Sequence, residues 1–128
     1  MYRIYLPDRF TGYPIPGSGR GKALKVPTIN IALEDIPSTL EQGIYAAYAI
    51  IDGRRFPTAI HYGPRPVFQD TDAFEIHLLD TTVDHVPETL DIEMIVRLRD
   101  VQNFPSTEAL YEQIDKDIEA ARAILASE

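Results

Sequence analysis

Ile44-Tyr45-Ala46-Ala47-Tyr48-Ala49-Ile50-Ile51-Asp52-Gly53 is an unbroken apolar run that ends on a turn signal. A run this short reads as a strand buried on both faces. Asp-Gly is the strongest dipeptide signal for a tight hairpin, so Arg54 to Tyr62 is expected to return antiparallel. Pro57 within that return marks an edge or a bulge, because proline donates nothing to a ladder. Downstream, Phe74, Ile76 and Leu78 alternate with Glu75, His77 and Leu79, which places the two sets on opposite faces. Leu90, Ile92, Met94, Val96 and Leu98 are expected to point inward, with Asp91, Glu93, Arg97 and Arg99 pointing away. Short strands at this spacing, joined by turn signals, argue for a closed or nearly closed antiparallel barrel.

The last segment changes period. Leu110, Ile114, Ile118, Ala121 and Leu125 form one helical stripe, read as a face packed on the barrel. Ser106 is a good N-cap after Pro105, and Glu108 in the first turn complements the helix dipole. Glu112, Asp115, Lys116 and Glu119 fall on the solvent side. At 128 residues, 45% hydrophobic and 25% charged, the chain is expected to be one globular domain, residues 1–128. It has no cysteine, which excludes disulfides, thiolate metal sites and cysteine nucleophiles and fits a cytoplasmic protein. No apolar run approaches the roughly 20 residues of a membrane helix, and the N-terminus lacks a signal-peptide core.

The longest irregular stretch, Arg9 to Lys25, is also the glycine-rich one, and long loops in small domains are often functional. It reads Gly17-Ser-Gly19-Arg20-Gly21-Lys22 and runs into Pro27-Thr28-Ile29-Asn30. Glycines let a backbone approach a ligand and aim its N–H groups at it, while Arg20, Lys22 and Lys25 add positive charge. Thr28 and Asn30, expected in a loop, offer two neutral oxygens of the type a hard cation such as Mg²⁺ takes. A phosphate cradle beside a magnesium seat suggests a nucleotide; a solvated surface loop accounts equally well for the glycines. With twenty acidic and twelve basic side chains the net charge is −8, so the chain has no electrostatic footprint for nucleic acid.

The chain resembles the riboflavin kinase (flavokinase) family from about Phe10 to about Leu125. Phe10-Thr-Gly12 resembles the family's opening strand, Gly17-Ser-Gly-Arg-Gly21 its phosphate loop, and Pro27-Thr28-Ile29-Asn30 its Pro-Thr-Ala-Asn signature. Gly43-Ile-Tyr45-Ala, Gly63-Pro-Arg65-Pro-Val-Phe68 and Glu75-Ile-His77-Leu-Leu-Asp80 resemble later motifs in the same order. Leu98-Arg99, Phe104 and the pattern ending at Asp117 resemble its flavin-side segment and terminal helix. The resemblance implies a mainly β fold, a small six-stranded antiparallel Greek-key-like barrel with a C-terminal α-helix. It also implies transfer of the γ-phosphoryl of ATP to the 5′-hydroxyl of riboflavin, giving FMN. From charge and hydropathy no nucleic-acid or membrane partner is expected, and the chain is expected to be a monomer.

On this resemblance Gly17, Gly19, Arg20, Gly21, Lys22, Pro27, Thr28 and Asn30 hold ATP, with Thr28 and Asn30 ligating Mg²⁺ as MgATP. Glu75 becomes the general base; on periodicity alone it reads as a residue of a solvated sheet face. His77, about 6–7 Å along the same face, is read as neighbouring structure or at most a nucleotide contact. Arg99, Phe104 and Thr107 become the flavin contacts, with Phe104 equally suited to plug the junction of helix and barrel. Arg97, expected on the same strand face as Arg99, is a further candidate.

Lys25, Ile29, Val86-Pro87 and Val101 depart from the family pattern, which bears on substrate affinity. No His-x-Gly-His motif occurs, so adenylation of FMN is not expected of this chain, and Met1 favours a whole protein. A non-catalytic flavin or nucleotide sensor, or an unrelated β-barrel interaction module, is the alternative reading.

Overall fold

A computed structural model describes residues 9–15, 28–64, 72–79 and 86–127. The glycine-rich loop with Gly17, Gly19, Arg20, Gly21, Lys22 and Pro27 lies outside the described residues, as do Arg65 to Phe68 and Asp80. Six strands follow in the order β1 (Arg9–Gly12), β2 (Thr28–Asn30), β3 (Gly43–Ile51), β4 (Arg54–Pro64), β5 (Asp72–Leu78) and β6 (Leu90–Arg99). One helix, α1 (Thr107–Ala126), ends the chain, and Leu33–Asp35 forms a single 3₁₀ turn.

The strands form one antiparallel sheet ordered β1-β6-β3-β4-β5-β2. Its two edges are drawn together. Beyond β1, Pro14 bridges Ile31, Ile15 N–H donates to Asn30 O at 2.8 Å, and Ala32 N–H donates to Tyr13 O at 3.1 Å. The sheet therefore curls into the expected barrel. Gly12 permits the closure, because a Cβ there would stand 2.8 Å from Ile31 Cγ2.

The β3–β4 hairpin turns at Asp52 and Gly53, both with positive φ (51° and 79°), as a tight Asp-Gly turn requires. Pro57 sits in a central strand, yet its place is still an edge. The last β4–β5 register pair is Thr58–Leu78, and Leu79 N–H donates to Pro57 O at 3.0 Å. A strand residue's N and O point the same way, so the missing N–H falls where β5 pairing ends and removes no β3–β4 bond.

Two apolar clusters flank the sheet. Inside the barrel pack Ile29, Ile31, Tyr45, Ala47, Ile60, Phe74, Ile76, Leu78, Ile92 and Met94 among others. Outside, Ala46, Tyr48, Ala59, Leu79, Ile95 and Val96 meet Ala121 and Leu125 of α1, with Ile118 partly buried against them. The helix begins as its sequence dictates, with Ser106 Oγ accepting from Ala109 N–H at 3.1 Å. It is tied near its far end by Tyr48 O–H donating to Leu125 O at 2.8 Å.

Strand β6 corrects the simple alternation. Its register against β3 skips Ile95 and Leu98, which are extra residues in two bulges. Leu90, Ile92 and Met94 face inward as expected, but Val96 and Leu98 turn to the helix side. Arg97 consequently pairs with Tyr45, an inward residue, while Arg99 pairs with Ile44. The two arginines do not share a face.

Candidate active site

Thr28 and Asn30 lie in β2, not in a loop. Strand β2 pairs with β5 so that Thr28 stands opposite His77 and Asn30 opposite Glu75. Cross-strand partners share a face, and Ile29 between them goes to the barrel core. The threonine, the asparagine, the carboxylate and the imidazole therefore share the outer face of one sheet edge. Glu75 is also the register partner of His61 on β4, whose Nδ1 lies 3.9 Å from Glu75 Oε1. One row of neighbours thus runs Asn30, Glu75, His61, Ile44, Arg99 across five strands.

This face is not a solvated one. The Glu75 side chain is only 16% exposed and that of His61 11%. Asn30 is buried, and its Oδ1 accepts no hydrogen bond among the described residues. A buried carbonyl oxygen without a donor is costly in a folded protein unless another group completes it. A hard cation takes neutral oxygen ligands of this kind, and Thr28 Oγ1 on the same face is a second such oxygen. The donor set therefore suits the divalent ion that accompanies a nucleotide. Among the described residues no group of three or more His, Asp or Glu side chains forms a metal cluster of its own, so any ion here depends on other ligands.

His77 joins the same constellation. Its Nδ1 lies 3.2 Å from Thr28 Oγ1. Burial pushes its pKa down to about 4, with the neighbouring His61 adding in the same direction and Asp117 opposing. At neutral pH the ring is uncharged, with one N–H and one lone pair.

The far end of the row is closed by salt bridges. Arg99 grips Asp117 of α1 with two hydrogen bonds, Nε to Oδ1 at 2.9 Å and Nη2 to Oδ2 at 2.7 Å. Its Nη1 donates to Asp100 O at 2.8 Å, and Gln113 Nε2 donates to Asp117 Oδ1 at 3.0 Å. Three of the five guanidinium N–H groups are thereby used within the chain. Arg97 donates through Nη2 to Gln42 O at 2.6 Å and to Asp100 Oδ1 at 2.7 Å. Phe104 is half-buried and Thr107 exposed at the first turn of α1.

Sequence reading thus brought Thr28, Asn30 and Glu75 to the page, and the fold assembles them. It missed His61 and the bond between His77 and Thr28. Strand periodicity places Glu75 and His77 on one face, but only the β4–β5 and β2–β5 registers reveal their partners.

Comparisons with known proteins identify the family. Residues 5–125 match the family model for flavokinase, riboflavin kinase. The chain is 36% identical over 124 residues to the bifunctional riboflavin kinase/FMN adenylyltransferase of Pseudomonas fluorescens, covering 94% of this chain and 39% of that protein. It is 31% identical over 125 residues to the riboflavin kinase of Homo sapiens, covering 92% and 81% respectively. Against the bifunctional relatives from Pseudomonas fluorescens and Haemophilus influenzae it spans only 39% and 40% of their length. The crystal structure of riboflavin kinase from Trypanosoma brucei superposes with a TM-score of 0.59 at 22% identity, covering 92% of this chain and 79% of that one, a likeness of fold. Members of this family are ATP-dependent phosphotransferases that generally need a divalent metal. On the match across residues 5–125, the chain belongs to the riboflavin kinase family.

Proposed function

We propose that this protein transfers the γ-phosphoryl of ATP to the 5′-hydroxyl of riboflavin, giving FMN and ADP. The observation that carries the reading is the β2–β5 register, which sets the Glu75 carboxylate opposite Asn30 and on the same face as Thr28, the Asn30 Oδ1 being a buried acceptor to which no described residue donates. Phosphoryl transfer needs positioning and charge neutralisation more than reactive side chains; the neutral oxygens suit a cation that would neutralise charge, and the carboxylate can take the proton.

Thr28 and Asn30 would hold Mg²⁺, which would supply neutralisation of the charge on the transferring group. Glu75 accepts the proton of the ribityl 5′-hydroxyl as that oxygen bonds to phosphorus and the bond from phosphorus to the ADP oxygen breaks. Gly17, Gly19, Gly21, Arg20, Lys22 and Pro27 contribute to holding the ATP phosphates. The flavin lies against the segment between β6 and α1, where Phe104 offers a ring face and Thr107 a hydroxyl. Arg99 keeps two N–H groups for the polar flavin edge while its other bonds fix the segment to α1. Residues 1–128 act as one domain, as a monomer in the cytoplasm.

Incubation with riboflavin and MgATP, followed by chromatography, is expected to yield FMN and ADP in equal amounts. Thr28→Ala and Asn30→Ala are each expected to weaken MgADP binding and turnover strongly while the Mg²⁺-free affinity for ADP changes little. Full activity in both variants would remove the metal assignment. ADP formation without FMN would remove riboflavin as the acceptor.

A further inference from the structure

We propose that His77 is a positioning residue whose Nδ1 accepts the Thr28 hydroxyl proton, turning the lone pairs of Oγ1 toward the cation. The inference rests on the reading of Thr28 as a cation ligand given above. Its own ground is the pairing of Thr28 with His77 across β2 and β5, with the two polar atoms 3.2 Å apart.

A threonine hydroxyl is a poor ligand unless its proton is parked elsewhere. The group carries one O–H and two lone pairs, and rotation about the C–O bond decides which of them meets an incoming cation. Asn30 has no such difficulty, since a carbonyl oxygen presents only lone pairs. Thr28 therefore needs an acceptor within hydrogen-bond distance, and the ring nitrogen is at that distance. Were the ring proton on Nδ1 instead, the ring would donate to Oγ1, occupy one lone pair and leave the hydroxyl proton free to swing toward the metal. The arrangement consequently requires the tautomer protonated at Nε2. Residues that orient a ligand in this way commonly set metal affinity by 10- to 100-fold without touching the metal.

The test measures ADP affinity calorimetrically with and without Mg²⁺ and takes the ratio of the two. His77→Phe keeps a ring and removes the acceptor; His77→Asn places an amide oxygen about where Nδ1 stands. The ratio is expected to fall about tenfold or more in His77→Phe, to recover substantially in His77→Asn, and ADP affinity without Mg²⁺ is expected to stay the same in both. An unchanged ratio in His77→Phe overturns the inference. Long-range ¹H–¹⁵N NMR on the unsubstituted protein with MgADP reads the tautomer directly and needs no variant to fold. A proton on Nε2 supports the inference; a proton on Nδ1 overturns it. Thr28→Ala separates the two levels of the argument. A Mg²⁺ dependence that survives Thr28→Ala brings down the metal assignment itself, and the role of His77 with it. A dependence lost in Thr28→Ala but kept in His77→Phe brings down only the latter.

Discussion

The two ends of the polar row differ in how completely the chain satisfies its own groups. At the β6–α1 end, Arg99 donates two short hydrogen bonds to Asp117, Gln113 donates a third, and Arg97 is held by Gln42 and Asp100. At the β2–β5 end, Asn30 keeps a buried oxygen that nothing among the described residues donates to. Both ends are polar and partly buried. The more complete network, Arg99 with Asp117, docks α1 on the barrel, whereas the Asn30 oxygen is, on the proposed function, a ligand for the cation. Asp117 at the completed end should therefore respond to substitution in stability, and Glu75 at the other end in turnover.

The largest effect should come from Glu75→Gln. The amide preserves shape and acceptor capacity but takes no proton, so kcat should fall roughly 10²-fold or more with a smaller change in KM. Tm should barely move. A Gln variant with near-normal kcat would shift the proton-accepting role to another group on this face.

The second effect follows from His77. Its pKa is near 6.5 in the unfolded chain and held down to about 4 in the folded one, chiefly by burial. Between those values the unfolded state binds the proton and the folded state does not, so stability rises with pH across that window. The contribution is complete above pH 6.5 and is lost as pH falls toward about 4, on the order of 3 kcal/mol at most. Urea unfolding at pH 7 and pH 4.5 measures it, and His77→Phe should flatten the difference. A pH-independent midpoint in the unsubstituted protein would mean that the ring titrates normally.

How much of this contrast was readable beforehand depends on register. The run Ile44 to Ile51 with Asp52-Gly53 carries its own pairing, since a two-residue turn aligns the strands it joins. Alternation in β5 survives because that strand pairs without bulges. In β6 it fails after Met94, because extra residues at Ile95 and Leu98 each reverse the faces that follow, and a bulge leaves no mark in an apolar stretch such as Met94-Ile95-Val96. Strand β2 escaped notice for a different reason. Three residues following a proline are too short for periodicity to register, and only pairing with β5 makes them a strand. The partners of Arg99 and Glu75 were hidden likewise, because Asp117 and His61 meet them only through tertiary contact. Family resemblance supplied the site residues; the fold supplied their neighbours.

At the completed end, Asp117→Ala should cost about 2 kcal/mol and lower Tm by several degrees. That figure is below the usual loss for a buried pair because the Arg99 side chain keeps 21% exposure and that of Asp117 11%. Calorimetric melting of the ligand-free protein measures it. An unchanged Tm would mean that α1 is held by its apolar stripe alone.

The smallest effect, and the most diagnostic, belongs to Asn30→Leu. Removing a buried acceptor to which no described residue donates relieves a desolvation penalty, and leucine keeps the branched heavy-atom skeleton of asparagine. The ligand-free protein should therefore lose no more than about 1 kcal/mol and can gain stability. MgADP, in contrast, should no longer raise Tm as it does in the unsubstituted protein, since stabilisation by a ligand scales with its affinity. Asp117→Leu makes the matching substitution at the other end, and there the same change leaves Arg99 without its carboxylate. If Asn30→Leu melts as low as Asp117→Leu, the Asn30 amide is part of the architecture and the two ends are alike. If it melts like the unsubstituted protein but ignores MgADP, its oxygen is held open for a ligand at the expense of nothing else in the fold.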